Sequence, residues 1–252
     1  MGSGHPLIFI HGFCETSEVW SGFSDRFARE FLVVNLDLPG FGNSEMPSQD
    51  FSIEDIAHQL LNHFKQLGIS EYTLIGHSLG GYVALAMANL TPDECKAIVL
   101  FHSTPNEDLP ERKENRTKVI EFVRQHGVKP FVETLVPGLF KSKSHPGVAR
   151  VLQMALQTKP ETVLAYSKAM RDRPSHRYFL QEFSHPILLL GGEFDPIIPT
   201  SSLLEISKES RADLAILKDT AHMAMEEAPA EAYQVLNSFL KNRVYSAKSH
   251  GN

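Results

Sequence analysis

Six short apolar runs, at positions 7–10, 31–36, 72–75, 97–101, 187–190 and 214–217, alternate with stretches of helical periodicity. Apolarity within each run is largely continuous rather than alternating, so both faces of such a strand must be covered by other elements. Between the second and third runs, Ile53, Ile56, Ala57, Leu60, Leu61, Phe64 and Leu67 recur at helical spacing, with Ser52 placed as N-cap and Gly68 as the stop. A second helix is expected around 202–208. Strand, helix, strand in this rhythm predicts an α/β fold with a mostly parallel central sheet flanked by helices.

The rhythm breaks between about Pro105 and Glu182, where segments 116–126, 148–157 and 161–170 read as helices and no strand-like run occurs. This predicts a core of residues 1–105 and 182–252 carrying a helical cap, or lid, at 106–181 over the sheet's C-terminal edge. Pro105, Pro110, Pro174 and Pro186 suit turns at its two ends. The alternative is one continuous domain whose middle helices cover a single face. No internal repeat is present, and the polar tail 246–252 is expected to fray.

With 24 Lys and Arg against 30 Asp and Glu the net charge is −6, and the basic residues are scattered. That excludes the basic stripe of a nucleic-acid binder. The longest apolar runs, such as 186–190, are too short to span a bilayer, and the N-terminus lacks the pattern of a secretory signal. Two cysteines, Cys14 and Cys95, allow at most one bridge, as in a reducing compartment. The expectation is a soluble cytoplasmic protein, monomer or homodimer, with no membrane or nucleic-acid partner.

Chemistry enters at Gly76-His77-Ser78-Leu79-Gly80, which follows the third run and opens a small-residue helical stretch to Leu90. This G-x-S-x-G pattern is weak alone but specific between a strand and a helix, where the glycines permit a sharp, strained turn that lifts the serine hydroxyl above the sheet. A serine needs a base, and the base needs a third group to orient it. Asp195 lies just past the run 187–190 and His222 just past 214–217. Reactive groups in open parallel sheets collect at the strands' carboxyl ends, so Ser78, Asp195 and His222 can converge as a catalytic triad. Glu193 is the rival acid, and Asp195 could instead only cap the following helix.

Four landmarks in order, His11-Gly12-Phe13, the loop from Asp37 to Ser44, the Ser78 elbow and the Asp195/His222 pair, give a chain that resembles the α/β-hydrolase superfamily over nearly its whole length. The resemblance implies a serine nucleophile, a lid, and an oxyanion hole from the backbone N–H groups of Phe13 and Leu79. A donor of that kind can be worth about 2.7–4 kcal/mol. It also implies that the family's leading β-hairpin is missing, since only residues 1–6 precede the first run. The serine nucleophile argues against the haloalkane dehalogenase and epoxide hydrolase branches, which use Asp.

The expected activity is hydrolysis of an ester or related acyl bond of a small, partly apolar substrate, with no cofactor and no metal; no clustered ligand spacing such as H-E-x-x-H occurs. The same triad can instead serve C–C hydrolysis, lactone opening, elimination or perhydrolysis, and the scaffold can serve as a small-molecule receptor. Phe131, Leu135, Leu139, Phe140, Met154 and Met170 of the lid, with His102 at a strand end, are the candidate pocket residues. As helical stripes the lid residues equally suit lid core. His11 is expected to brace the oxyanion loop and His77 to point away from substrate. Cys14 is read as a plain buried cysteine or a thiol-reagent sensor. Gly40-Phe41-Gly42 is a loop turn, lacking the rest of a dinucleotide fingerprint.

Overall fold

The computed structural model describes residues 1–46 and 50–245; the tail 246–252 lies outside the described residues. Each of the six apolar runs forms a strand: β1 (Pro6–Ile10), β2 (Leu32–Leu36), β3 (Tyr72–His77), β4 (Cys95–Phe101), β5 (Ile187–Gly192) and β6 (Asp213–Leu217). They make one parallel sheet in the order β2-β1-β3-β4-β5-β6. The chain runs outward from β1 to β2, then returns to place β3 on β1's other side, Ile10 opposite Gly76. Where the direction of winding reverses, the connections leave a crevice at the strands' carboxyl ends. It opens between β1 and β3.

Period-two alternation explains why the runs are apolar throughout. Leu7, Phe9, Ile75, Val99 and Leu190 pack on one face against Trp20, Phe23 and Phe27 and against α10 (Pro229–Phe239). Ile8, Ile10, Leu74, Leu100 and Leu189 pack on the other against α1 (Ile53–Gln66), α2 (Leu79–Leu90) and α8 (Thr200–Ser210).

Between β4 and β5 stand five helices and no strand: α3 (Pro110–His126), α4 (Val128–Gly138), α5 (Pro146–Ala155), α6 (Pro160–Asp172) and α7 (Arg177–Glu182). Residues Ala224–Glu227 form the short α9. Two details differ from the sequence reading. Pro110 is the first residue of α3 rather than a turn outside it, and Pro146, Pro160 and Pro229 likewise open helices. Proline's fixed φ suits that position and its missing N–H is not needed there. The named segments also left out α4, which starts directly after Gly127 at φ +79°. Among the described residues no helix is long and apolar enough to cross a membrane.

The start of α1 is held as the sequence suggests. Ser52 Oγ accepts from Asp55 N at 3.0 Å while Asp55 Oδ2 accepts from Ser52 N at 2.9 Å, a reciprocal capping box. Ser52→Ala is therefore expected to cost about 1 kcal/mol of stability, read as a lower urea midpoint at unchanged m-value; an unchanged midpoint would show that packing alone fixes the helix start.

Candidate active site

The crevice is built from backbone that the chain elsewhere avoids. Of the five described non-glycine residues at positive φ, four lie just past strand ends: Cys14 after β1, Ser78 after β3, His102 after β4 and Asp219 after β6. Such strain persists only where the surroundings enforce it, and it concentrates at functional sites. Ser78 holds φ +50° and ψ −112°. Its N–H donates to the Phe101 carbonyl at 3.1 Å, and its carbonyl accepts from Gly81 N at 3.0 Å and Ser103 Oγ at 2.7 Å. The two glycines flanking it leave no room for a side chain: a Cβ on Gly76 would lie 2.4 Å from the Gly80 backbone, and one on Gly80 2.3 Å from the Ile10 carbonyl oxygen.

Asp195 and His222 come together as expected. His222 Nδ1 lies 2.8 Å from Asp195 Oδ2 and 3.0 Å from Oδ1, and Oδ1 also accepts from the backbone N–H groups of Ile197 and Ile198 at 2.8 and 3.0 Å. Burial alone would raise the Asp195 carboxyl. The His222 imidazole and the hydrogen bonds from both neighbouring histidines outweigh it and hold the group far below the ordinary carboxylate range. Glu193, the rival acid, instead accepts from Asp219 N at 3.0 Å and is exposed.

Three further buried histidines stand at the strand ends, and their partners and burial together fix their protonation. His11 donates from Nδ1 to the Gly12 carbonyl (2.8 Å) and accepts at Nε2 from Leu38 N (3.0 Å), so it is neutral, and burial lowers its pKa. It braces the loop after β1. His77 faces two pure acceptors, Glu15 Oε2 at 3.0 Å on Nδ1 and the His222 carbonyl at 3.0 Å on Nε2, so both nitrogens carry protons. Burial opposes that charge, but the Glu15 carboxylate wins and raises His77 above its ordinary value. His102 donates from Nδ1 to Asp195 Oδ2 at 2.8 Å, while its buried Nε2 meets no partner among the described residues. Burial pushes it down to about 4. His102, Asp195 and His222 have donor atoms within 4.8 Å of one another, as metal ligands would. Hydrogen bonding of both imidazoles to the one carboxylate accounts for that cluster.

Ser78 and His222 open into one cavity of about 280 Å³. Phe13, Tyr82, Val119, Leu135, Met170 and Ile197 supply apolar wall, from the loop after β1, α2, α3, α4, α6 and the loop after β5. Of the candidate pocket residues Leu135, Leu139 and Met170 line it, and the others do not. Phe131 stands behind Phe13, ring centroids 6.2 Å apart. Phe140 stacks on His145, and Met154 Sδ accepts from Thr16 N at 3.1 Å; both belong to the core shared by α4, α5 and the chain after β1. His102 is sealed beneath Asp195. Cys14 is buried, and burial first, then the Glu15 charge, pushes its thiol well above the ordinary range, so the plain buried reading holds. The backbone N–H groups of Phe13 and Leu79 donate to nothing among the described residues. Sequence reasoning missed Glu15, Tyr82, Arg112, Asn115, Arg116, Val119 and Ile197 as cavity residues. The four on α3 carry a readable signal, i, i+3, i+4 and i+7 spacing on one face.

His102 makes stability pH-dependent in a definite direction. Its pKa falls from 6.5 to about 4 on folding, so the unfolded chain binds the extra proton between those values. The contribution is whole above about pH 6.5 and is lost as pH falls toward 4, with a slope of up to about 1.4 kcal/mol per pH unit. His102→Asn, which keeps a donor toward Asp195, is expected to flatten acid destabilisation over that window in urea titrations; parallel curves would contradict a neutral buried His102.

A family model described as the alpha/beta hydrolase fold matches residues 5–229. Among solved structures, a thermophilic esterase from Thermogutta terrifontis, with malate bound, superposes with a TM-score of 0.90 at 31% identity, covering 96% of this chain and 91% of that one. Pimeloyl-[acyl-carrier protein] methyl ester esterase of Nitrosomonas europaea is 28% identical over 215 residues, 80% of this chain and 81% of that protein. The dihydrolipoyllysine-residue acetyltransferase component of the acetoin cleaving system of Pseudomonas putida is 28% identical over 248 residues, 94% of this chain. The chain spans 64% of that relative's length.

Proposed function

The chain belongs to the alpha/beta hydrolase fold family, and on that footing we propose that it is a serine hydrolase cleaving an ester or related acyl bond of a small, partly apolar substrate. One observation carries the reading: a serine in left-handed backbone at the switch point shares its cavity with a histidine whose Nδ1 is bound to a buried carboxylate. Its similarity to the two esterases described above supports it.

Ser78 Oγ attacks the carbonyl carbon while His222 Nε2 takes its proton. Asp195 accepts from Nδ1, which fixes the tautomer that leaves Nε2 bare and stabilises the imidazolium once formed. Negative charge develops on the former carbonyl oxygen, and the unengaged N–H groups of Phe13 and Leu79 are the donors for it. Collapse expels the alcohol with the proton from His222. Water, activated by the same imidazole, then releases the acid from the seryl ester. The helical insertion 106–181 serves as the cap, shielding these charges from water and so strengthening every electrostatic interaction within.

Intact mass after treatment with a fluorophosphonate probe tests the nucleophile without knowledge of the substrate. One adduct is expected on the wild type and none on Ser78→Ala; a folded wild-type protein that takes no adduct would overturn the reading. For the acid, Asp195→Asn is expected to lower kcat on an activated ester by roughly 10⁴-fold, the scale of the same change in a serine protease, whereas Glu193→Gln is expected to leave it within a fewfold. The reverse ranking would move the role to Glu193.

A further inference from the structure

The cavity beside Ser78 is apolar over most of its wall, yet it contains two guanidinium groups. Arg112 and Arg116 stand four residues apart on α3 with Asn115 between them, and all three line it. Beneath them lies Asp108, whose side chain is wholly buried. Three arginines surround that single carboxylate: Arg116 Nε at 3.1 Å from Oδ2, Arg173 Nη1 at 3.0 Å from Oδ1 and Arg112 Nε at 4.0 Å from Oδ1.

Arg116 gives the Asp108 carboxylate its hydrogen bond, at Oδ2, and facing Oδ1 as an ion pair stands Arg173. It is buried, donates to the carbonyls of Met170 (2.5 Å) and Asn106 (2.8 Å), and lies 3.7 Å from the centroid of the Tyr82 ring. Arg116 and Arg173 together complete the structural role of the cluster. Arg112, 4.0 Å from Oδ1, adds positive charge that this role does not require, and one carboxylate against three guanidiniums leaves the cluster net positive. Glu15, on the same cavity, is matched by the His77 imidazolium. Glu107 and Glu111 line a separate outer groove, which shares Arg112, Asn115 and Ile197 with the cavity, and Glu107 lies 3.7 Å from Lys113. Arg177 in that groove is paired with Glu205 and Glu209.

Arg112 donates from Nη2 to the Ile197 carbonyl at 2.6 Å, which holds it in place. Arg116 spends Nε on Asp108, and its Nη1 and Nη2 make no hydrogen bond among the described residues. Its side chain is 19% exposed, on the cavity side. A half-buried guanidinium with its fork unspent, at the end of an apolar wall, is a receptor for a planar bidentate anion.

We infer that the cavity takes an ester whose far end carries a carboxylate, with the apolar middle along Val119, Leu135 and Met170 and the carboxylate on Arg116 and Arg112. The inference rests on the serine-hydrolase reading for the bond broken, and on geometry alone for the anion. The carboxylate can sit on the acyl or the alcohol side, since both arms leave the same carbonyl.

The test compares kcat/KM for matched pairs. Mono-p-nitrophenyl succinate, glutarate and adipate are set against p-nitrophenyl esters ending in methyl, and acetate esters of ω-hydroxy acids against those of the corresponding alkanols. A preference for the carboxylate of about tenfold or more, the scale of one charge-assisted hydrogen bond, is expected in one of the two series. The carboxylate-to-methyl ratio is expected to collapse toward one in Arg116→Gln and to survive largely in Arg116→Lys, which keeps a cation beside Asp108. Calorimetry of adipate against 1,6-hexanediol, on the wild type and both variants, reads the anion site without catalysis. Ratios near one in both wild-type series, with adipate binding no tighter than the diol, would overturn the inference and leave the hydrolase reading standing. Tighter adipate binding lost in Arg116→Gln, on a protein that takes no fluorophosphonate adduct, would uphold the anion site and sink the hydrolase reading instead.

Discussion

A charged pair buried at the switch point holds the site together. The His77 imidazolium and the Glu15 carboxylate are 0% and 2% exposed at 3.0 Å, and removing either partner would strand the other's charge where desolvation costs several kcal/mol. Glu15 accepts from Gly12 N, which closes the turn after β1 and leaves the next N–H, that of Phe13, unengaged. His77 precedes Ser78, so its ring anchors the elbow. Its Nε2 donates to the carbonyl of His222. One ion pair thus registers the loop after β1, the elbow after β3 and the loop after β6. The His222 N–H meanwhile donates to the Leu139 carbonyl at the end of α4, which ties the same residue to the helices between β4 and β5.

Asp195 is the second junction. It takes two imidazole donors and two backbone donors, more than orienting one histidine requires. His102 and His222 both hold Asp195 Oδ2, each from Nδ1 at 2.8 Å. Four non-glycine residues held at positive φ at four strand ends show that packing of the sheet overrides local preference here. The wall above is mostly apolar and low in dielectric, which amplifies every charge the cavity contains. The uncompensated guanidiniums over Asp108 act in that setting.

The strands, α1 with its cap, the elbow and the order of serine, acid and histidine were legible because each has a local cause: continuous apolarity, a capping box, glycines where backbones touch, loops at strand ends. The helices between β4 and β5 were legible as helices but not in their facing. Met154 and Met170 occupy equivalent places in amphipathic stripes, yet one packs on Thr16 and the other lines the cavity, because a stripe does not say which neighbour covers it. Arg112 and Arg116 were passed over for a related reason. On a helix as rich in charge as α3 they read as solvated surface, and only the buried Asp108 beneath them shows otherwise.

By itself the sequence determined the α/β architecture, the six strands and the positions of Ser78, Asp195 and His222 at strand ends, since periodicity and turn chemistry act over a few residues. The tertiary structure decided what depends on residues far apart in the chain. His11 is neutral and His77 charged because of partners that come from Leu38, Glu15 and His222, and His102 is neutral with a pKa near 4 because burial outweighs the pull of Asp195. A protonation state follows from burial and from the groups within a hydrogen bond's reach, and only the folded chain supplies both.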